Sequence, residues 1–499
     1  MDLIDIPAAQ AALTLLFSQP SYWLVVIPGI MIGLFFGATP GLQTSMAMAI
    51  FLPMTLYMDF LQAMLFLTAI FTGGGFGAGV PAILMNIPGT SSAIATAFDG
   101  YPMAKQGRHN EALGLALGSS TFGVFLGYIL LFFLIKPMSL FVLKLGPSEM
   151  FIVILWGLTL IASLTGKHVT KGLIAGLFGL LIGTIGFSEA GVMRGTMGIE
   201  ILADGIPVIP AMMGMFAASE LFKLVKTEFL VEDESKRQVR ISEILKGFKK
   251  AFSYPVILIR GSIIGVLIGA VPGVGSSVSN LLSYIETKRR DKDPDSFGKG
   301  NPKGVVASEA ANSTSEAGSM ATLLALGIPG GGATAVMLAA FSMHNITGGP
   351  QFIREEMDIV YAIIFANFGQ VFLLVILGLL LIPILASIIK VKMTYLVPSV
   401  LILAVSGSFG LTGNMSGPNT VLVFAIIGWL FRRYNFSVPA AVIGMLLGAM
   451  AESSLVQTLQ ISGGNFSYIF ERPITLVIMS LLLFSLFGSK LIQKFTQKK

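Results

Sequence analysis

The chain is dominated by long apolar runs that are separated by short polar segments. Within these runs the apolar residues are continuous and do not alternate with polar ones, which argues against a β-barrel. At about 20 residues per crossing, the runs predict roughly 10–12 membrane passes, some of them broken. The clearest runs are 113–135, 148–164, 169–187, 359–389 and 473–489.

Two copies of one motif interrupt this apolar pattern. Residues 33–45 read GLFFGATPGLQTS and residues 265–277 read GVLIGAVPGVGSS, which match at one constant offset. A second pair follows in the same order, NIPGTSS at 86–92 and GIPGGGA at 327–333, at an offset nine residues longer. Breaks at matching positions in two halves of an apolar chain predict an internal repeat.

The Pro-Gly pairs predict helix ends inside the membrane. Proline removes a backbone N–H and glycine relaxes the helix, so a Pro-Gly pair ends one helix and lets another begin. Backbone groups freed in this way must be satisfied by protein or by a water-filled cavity, which suits a site that holds a polar ligand. The alternative is a pair of kinked helices whose glycines allow close crossings. A third, weaker echo pairs GLLIG at 179–183 with GMLLG at 444–448.

The charge pattern supports a membrane location and orients the chain. Only 12% of the residues are charged and the mean hydropathy is +0.83, whereas a soluble domain carries about 25% charged residues. The net charge is +6, and basic residues concentrate in 223–260 and 288–303, with smaller groups at 432–433 and 490–499. Under the positive-inside rule these segments are cytoplasmic loops and not a nucleic-acid surface.

The second Pro-Gly copy lies within 256–285, between the two most basic loops. Each arm has about 15 residues, which is short for a full crossing at about 1.5 Å per residue. If both loops are cytoplasmic, the segment enters and leaves on the same side, as a re-entrant hairpin with Pro272 and Gly273 at its tip. The first copy, in 22–57, fits either two passes or a hairpin of the same kind.

These features predict an all-α polytopic membrane protein with re-entrant or broken helices and two structural repeats. The first membrane repeat is predicted at 1–226, a cytoplasmic linker at 227–255 and the second repeat at 256–499. We expect the repeats to be inverted relative to each other. The basic pairs Lys167-His168 and Arg432-Arg433 precede corresponding helices in both halves, which argues against a clean inversion.

The helices that begin after the breaks are predicted to bind an anionic substrate. Their N-termini, at 41–45, 89–92, 273–277 and 330–334, present unpaired N–H groups and a partial positive charge. The polar segment 308–319, SEAANSTSEAGS, adds amide and hydroxyl groups, although it could instead be a solvated extension of the preceding loop. The candidate substrate-binding residues are Pro40, Gly41, Gln43, Thr44, Ser45, Asn86, Pro88, Gly89, Thr90, Ser91, Pro272, Gly273, Ser276, Ser277, Asn312, Ser313, Thr314, Gly327, Pro329, Gly330 and Gly331.

Three acidic residues are candidates to carry a coupling ion, because an ionisable group within a membrane segment is costly and points to function. Glu309 and Glu316 lie in the polar segment, and Asp99 lies in the sequence FDGYP. An Asp-Gly turn is commonly structural, so Asp99 has an equally good structural interpretation. The coupling ion would be sodium or a proton, and no other cofactor and no metal site is predicted.

An enzyme is a poor interpretation of this chain. It contains no cysteine, and its three histidines, His109, His168 and His344, are far apart in sequence. No HExxH, GxSxG or Walker sequence occurs. A passive anion channel and a transporter of another class of small solute stay open as alternatives, since the sequence alone does not distinguish them from coupled transport of an anion.

Together, the motifs resemble the large membrane subunit of the tripartite tricarboxylate transporters, the TctA family. The resemblance covers nearly the whole chain and rests on GATPG, NIPGTSSAIATAFDGYP, PGVGSS, EAANSTSEAGS and GIPGGGATAVMLAAF, in family order. It implies a multi-pass subunit of the bacterial inner membrane that works with a small four-pass membrane subunit and a periplasmic substrate-binding protein. It also implies import of carboxylates, such as citrate or related di- and aromatic acids, driven by a sodium or proton gradient and not by ATP.

A mechanism follows from this arrangement. The broken helices would form a core that moves, in the manner of an elevator, against scaffold helices in 113–226 and 359–430. The substrate would bind between the Pro-Gly breaks, so replacing Pro272 or Asn312 by alanine would abolish uptake and leave expression intact.

Overall fold

The computed structural model is almost entirely α-helical, as the apolar pattern predicts. It describes residues 4–39, 42–86, 88–142, 144–163, 169–187, 192–199, 202–219, 239–271, 275–388 and 393–483. In chain order its helices are α1 Ile6–Ser18, α2 Ser21–Leu24, α3 Val26–Ala38, α4 Thr44–Phe51, α5 Phe60–Gly77, α6 Gly79–Met85, α7 Ile94–Lys105, α8 His109–Val142, α9 Pro147–Ser163, α10 Val169–Gly183, α11 Val208–Met212, α12 Ile241–Ala251, α13 Pro255–Gly269, α14 Gly275–Arg290, α15 Pro302–Leu326, α16 Gly332–Met343, α17 Pro350–Glu355, α18 Met357–Ile388, α19 Met393–Thr412, α20 Ser416–Arg433, α21 Val438–Ile461, α22 Tyr468–Glu471 and α23 Pro473–Leu483. Short 3₁₀ turns cover Leu52–Tyr57, Ser91–Ala93 and Pro294–Ser296, a π-helical turn covers Met213–Ala218, and a ribbon pairs β1 Gly186–Phe187 with β2 Met193–Arg194.

Among the described residues, five helices are long and apolar enough to cross a membrane, or up to six if the bent pair α12–α13 is one span. Several other apolar helices, among them α10 and α16, have only 10–17 residues. This number is below the roughly 10–12 passes expected from the apolar runs, because breaks divide those runs into helices shorter than a crossing. The chain is a polytopic, all-α membrane protein.

The long helix α8 gives the molecule two distinguishable ends. Near its N-terminus, the Glu111 carboxylate accepts hydrogen bonds from Arg108, at 2.8 Å, and from Lys250, at 2.7 Å. Near its C-terminus, the Lys136 ammonium lies 3.7 Å from the Asp5 carboxylate. Because α8 has 34 residues, or about 50 Å of helix, these ion pairs mark opposite ends, which we call the Glu111 end and the Asp5 end.

Two helical hairpins open toward these two ends. The first, α3 and α4, follows Trp23, which contacts Gly369 of α18. Helix α18 starts at the Asp5 end, where the Asp5 N–H donates to the Tyr361 hydroxyl at 3.1 Å. The second hairpin, α13 and α14, begins at Pro255 directly after α12, which lies at the Glu111 end. The hairpins therefore enter the bundle from opposite sides.

Glycines allow the first hairpin to pack closely on α5. A Cβ added at Gly37 would lie 2.5 Å from the Gly74 carbonyl oxygen, and one added at Gly33 would overlap the Ile70 carbonyl oxygen. The backbones of α3 and α5 are therefore in direct contact, which a side chain at either position would prevent.

The corresponding glycines seat the second hairpin on α15. A Cβ added at Gly265 would lie 2.5 Å from the Ala311 carbonyl oxygen, and one added at Gly269 would overlap the Ser315 carbonyl oxygen. Residues 311 and 315 correspond to residues 70 and 74 at the same offset that relates NIPGTSS at 86–92 to GIPGGGA at 327–333. The matched motifs thus make matched contacts.

Helices α10 and α21 cross through the glycines of the third sequence echo. A Cβ added at Gly179 would overlap the Ala441 carbonyl oxygen, and one added at Gly444 would overlap the Gly176 carbonyl oxygen. These two helices pack with α9, α11 and α20 to form the second part of the bundle, beside the part that contains the hairpins.

The positions of α8 and α18 differ from the scaffold expected in 113–226 and 359–430. Gly123 of α8 contacts α15, where an added Cβ would lie 2.6 Å from the Ala310 carbonyl oxygen. Gln370 of α18 donates to the Thr68 hydroxyl of α5 at 2.9 Å. Both helices therefore pack on the hairpin part. The sequence could not assign α8 and α18 to one part or the other, because an apolar run in a membrane protein looks the same whichever helix it contacts. Which helices act as the scaffold stays a prediction.

The predicted linker 227–255 is described only in its second part, since 220–238 lie outside the described residues. Helix α12 is amphipathic and buries Ile244, Gly247 and Ala251. It packs on the start of α8 and bends by 80° into α13. The division into two repeats and a linker stays a prediction.

Candidate functional site

A polar cavity lies where the two hairpins meet α5 and α15. Its volume is about 210 Å³, and both halves of the chain line it. The first half contributes Gln43, Thr44, Ser45, Phe71, Gly75, Thr90, Ser91, Ser92 and Phe216. The second half contributes Ser276, Asn312, Ser313, Glu316, Ser319, Gly331, Gly332, Ala333, Thr334 and Pro439. Most of these lining residues carry hydroxyl or amide side chains, and Glu316 is the only charged side chain among the described ones.

Several helices begin at this cavity. Helix α4 begins at Thr44, α16 begins at Gly332, and a 3₁₀ turn that continues into α7 begins at Ser91. Helix α14 begins at Gly275, next to the lining residue Ser276. The N–H groups of a first helical turn have no partner within the helix, so these starts give the cavity a partial positive potential.

The helices before the two Ile-Pro-Gly sequences each end at a residue in the left-handed conformation. Asn86, with φ 61°, ends α6, and Gly327, with φ 69°, ends α15. Asparagine and glycine adopt this conformation at the lowest cost, and a proline shortly afterwards prevents the helix from continuing. Pro88 and Pro329 occupy that position in the two copies. The two motifs are therefore equivalent helix ends.

The glycines after these prolines, Gly89 and Gly330, lie in close contact with neighbouring parts of the chain. A Cβ added at Gly89 would overlap the Gly37 carbonyl oxygen of the first hairpin. A Cβ added at Gly330 would lie 2.6 Å from the Ser319 hydroxyl oxygen. Gly89 thus contacts rigid backbone, whereas Gly330 contacts a cavity-lining side chain.

The α15 wall carries the polar side chains of the cavity. The Asn312 side-chain N–H donates to the Gly75 carbonyl oxygen at 3.2 Å, which joins α15 to α5. One turn later, Glu316 is only 3% exposed, and its Oε1 accepts from the Thr72 hydroxyl at 3.0 Å. Residues 304–325 of this helix are all buried, so the segment is not a solvated extension of the preceding loop.

Glu309 lies on the same helix but does not line the cavity. Its carboxylate is fully buried and accepts from the Thr96 hydroxyl at 2.5 Å and from the Ser120 hydroxyl at 2.9 Å. The Thr96 hydroxyl also shares a hydrogen bond with the Ser308 hydroxyl at 3.0 Å. This acid therefore joins α7, α8 and α15.

Asp99 is buried near the Glu111 end and does not line the cavity. Its Oδ1 accepts from the N–H groups of Gly298, Gly300 and Asn301, at 2.8, 2.9 and 2.8 Å. Its Oδ2 accepts from the Tyr284 hydroxyl at 2.9 Å. These four bonds fix the loop before α15, which favours the structural interpretation of this residue.

The structure places the candidate binding residues in three groups. The residues Gln43, Thr44, Ser45, Thr90, Ser91, Ser276, Asn312, Ser313 and Gly331 line the cavity. The residues Asn86, Pro88, Gly89, Gly327, Pro329 and Gly330 form the breaks beside it, and Thr314 packs against Gly127 of α8. Pro40, Gly41, Pro272 and Gly273 lie outside the described residues, as does the side chain of Ser277. Their role in binding a substrate stays a prediction.

Four lining residues fall outside the predicted stretches: Phe71, Gly75, Phe216 and Pro439. Phe71 and Gly75 hold the repeat positions of Asn312 and Glu316, so the sequence offset could have found them. Phe216, in the π-helical turn after α11, and Pro439, at the start of α21, belong to the second part of the bundle. No repeated motif marks either residue.

The fold and the cavity define a multi-pass α-helical membrane protein with a polar cavity between broken helices. The model of the tripartite tricarboxylate transporter TctA family matches residues 23–443. The chain therefore belongs to this family and is a component of a tripartite tricarboxylate transporter, which works with other subunits. The match confirms the resemblance inferred from the motifs.

Two relatives from Agrobacterium vitis are also similar to the chain. The "uncharacterized 52.8 kDa protein in TAR-I ttuC' 3'region" is 31% identical over 456 residues, which cover 91% of this chain and 90% of the relative. The "uncharacterized protein in TAR-II ttuC' 3'region" is 30% identical over 217 residues, which cover 44% of this chain and 90% of the relative. No solved structure matches the chain.

Proposed function

We propose that the chain is the large membrane subunit of a secondary active carboxylate importer in a bacterial inner membrane. Its substrates would be tricarboxylates such as citrate, or related di- or aromatic carboxylates, and a sodium or proton gradient would drive uptake. A periplasmic binding protein would deliver the substrate, and a small four-pass membrane subunit would complete the assembly. Membership of the TctA family supports the transport role.

One observation carries the choice of an anionic substrate: helix N-termini from both halves meet at a single polar cavity. The starts of α4 and α16 provide unpaired N–H groups, and the hydroxyls of Ser45 and Ser276 lie beside them. A carboxylate can accept hydrogen bonds from such groups without an arginine, as anions do at other helix N-termini. A neutral solute would gain less from the same groups.

We also propose that the two halves are inverted repeats with the Glu111 end in the cytoplasm. The opposite directions of the hairpins and the matched contacts of Gly33 and Gly265 support the inversion. The basic residues Arg108 and Lys250 at the Glu111 end support the orientation, since basic loops favour the cytoplasmic side.

The hairpin part is proposed to move against the second part of the bundle during transport. The cavity lies between the two parts, and the second part contributes Phe216 and Pro439 to its lining. Sliding between these apolar residues and the polar walls would carry the substrate from one side of the membrane to the other.

Uptake of radiolabelled citrate and related acids into vesicles tests this function. The vesicles would contain the chain with its partner subunits, and sodium and pH gradients would be varied separately. An importer accumulates the acid above its external concentration and depends on one of the gradients. Equilibration without accumulation would indicate a channel, and no uptake of any carboxylate would overturn the substrate class.

A further inference from the structure

The cavity has a negative side chain and no positive one to balance it. Among the described lining residues, Glu316 is the only charged side chain, and no Lys, Arg or His is present. None of the ion pairs formed by the described residues includes Glu316. If the substrate is a carboxylate, an ionised Glu316 would place a second negative charge in the same buried space.

The neighbours of Glu316 do not compensate this charge. The Thr72 hydroxyl of α5 donates one hydrogen bond. Tyr128 of α8 is buried within the electrostatic influence of Glu316, and its hydroxyl has no hydrogen-bond partner among the described residues. On the described parts of the helices that pack on α15, namely α5, α7, α8, α13, α14, α16 and α17, no cationic side chain faces it. Arg354 of α17 is exposed and pairs with Glu355 instead. Like charges in a low-dielectric site repel strongly, so one of the two must be neutralised before both occupy the cavity.

We propose that one cation, a proton or a sodium ion, neutralises Glu316 whenever the cavity holds a carboxylate, and that this couples uptake to the cation gradient. The proposal rests on the function proposed above. Cation-free Glu316 excludes the substrate, so the cation and the carboxylate enter and leave the cavity together. Binding of the cation then raises the affinity for the carboxylate, and binding of the carboxylate raises the affinity for the cation by the same factor, which couples the two gradients.

Glu309 does not meet the same conditions. Its carboxylate lies outside the cavity lining and accepts from Thr96 of α7 and Ser120 of α8. The Asn312 side chain of its own helix also interacts with it. Donors from two different helices suit a fixed brace that holds α7, α8 and α15 together. Coupling is therefore assigned to Glu316 and not to Glu309.

The direct test compares Glu316→Gln with Glu309→Gln in proteoliposomes that contain the complete transporter. Glutamine resembles the neutralised acid but takes up neither cation. Glu316→Gln should therefore keep the exchange of radiolabelled citrate, or of the acid that the uptake assay identifies, and should lose accumulation and cation dependence. Glu309→Gln should keep all three.

Two results overturn the assignment: accumulation by Glu316→Gln with the cation dependence of the wild type, or loss of that dependence in Glu309→Gln with exchange intact. In the wild type, dependence on pH identifies the proton, and dependence on sodium identifies the sodium ion. If the wild type exchanges no carboxylate, the proposed function fails, which is a distinguishable result.

A second pair of variants keeps both acids in place. Thr72→Val removes the hydroxyl that donates to Glu316, and the control Ser120→Ala removes one that donates to Glu309. If a proton neutralises Glu316, losing a donor to its ionised form should move the pH of half-maximal uptake upward by about one unit. If sodium does so, the same loss should lower the half-saturating sodium concentration, because the cation-free carboxylate is stabilised less. An unchanged cation dependence in Thr72→Val, or an equal change in Ser120→Ala, contradicts the proposal.

Discussion

The two walls of the cavity hold equivalent sequence positions and present different chemistry. Phe71 and Gly75 of α5 stand where Asn312 and Glu316 of α15 stand in the other half. The α5 wall offers an aromatic ring and open backbone, whereas the α15 wall offers an amide and a carboxylate. The halves therefore share helix breaks and glycine contacts without sharing their side chains at these matched positions.

What stays alike between the halves is backbone geometry. The glycines that seat the hairpins and the left-handed helix ends at Asn86 and Gly327 recur in both. What differs is the charge placed in the cavity. Two matching acids would double the negative charge that a carboxylate meets, so a neutral α5 wall suits an anion better than a symmetric pair.

The largest effect is expected when the walls are made alike. Gly75→Glu puts a second carboxylate at the position that matches Glu316, and an added Cβ at Gly75 meets no atom within 4 Å. Two charges about 5 Å apart repel by about 3 kcal/mol at an effective dielectric constant near 20, so uptake should fall roughly 100-fold. Gly75→Gln is the matched neutral control and should keep most of the uptake. Equal initial rates of citrate uptake in the two variants would show that a second negative charge in the cavity does not hinder uptake.

Removing the amide from the polar wall should have the next largest effect. Asn312→Ala deletes the group that reaches Gly75 and lines the cavity. A hydrogen bond to a charged ligand contributes about 1.5–3 kcal/mol, so uptake should fall roughly 10- to 100-fold, to near background. Phe71→Leu, at the matching position, should retain uptake, because it keeps an apolar surface. Uptake rates at matched expression check both variants. A larger loss in Phe71→Leu would show that the α5 wall contributes more to uptake than the α15 wall.

Replacing Gly89 or Gly330 by alanine should show how much stability is lost when the added Cβ meets backbone and how much when it meets a side chain. Gly89→Ala meets the fixed Gly37 carbonyl and should lower the free energy of unfolding by about 2 kcal/mol. Gly330→Ala meets the Ser319 hydroxyl, which can rotate away, and the Ser319 Cβ at 2.8 Å, which cannot, and should cost about 1 kcal/mol. Thermal unfolding of the purified variants measures the difference, and equal midpoints would contradict it.

The smallest effect of all is expected at Asn86, one of the two left-handed helix ends. Asn86→Gly keeps a residue that accepts positive φ and should change stability by about 0.5 kcal/mol or less. Gly327→Ala forces a Cβ into that conformation, 3.0 Å from the Gly348 carbonyl oxygen, and should cost about 1 kcal/mol or more. The same unfolding assay ranks the two, and a greater loss in Asn86→Gly would show that the helix ends are not equivalent.

Local backbone signals in the sequence predicted much of the architecture. Proline and glycine act on their own neighbours, so the helix starts at Thr44 and Gly332 fall within the stretches that the breaks indicate. The position of α8 could not be predicted in the same way, because lipid-facing and protein-facing residues are equally apolar. Phe216 was missed for a related reason, since nothing in its local sequence indicates contact with a distant cavity.

The acidic residues show a second limit of the sequence. Glu309 and Glu316 are seven residues apart on one helix, which is nearly two turns, so helical periodicity places both on the same face. The structure separates them along the helix axis, and only Glu316 reaches the cavity. Asp99 had two equal interpretations, and only its four hydrogen bonds favour one. Which acid faces the cavity depends on contacts that no local pattern contains.

Protection of introduced cysteines by substrate tests most directly that a carboxylate occupies this cavity. The chain has no cysteine of its own, so Ser45→Cys and Ser276→Cys each place a single thiol on the lining, and Ser253→Cys places one at an exposed control position. The transported acid should slow modification of the first two thiols by a small maleimide and leave the third unchanged. Modification of both cavity thiols at the same rate with and without the acid would contradict the account.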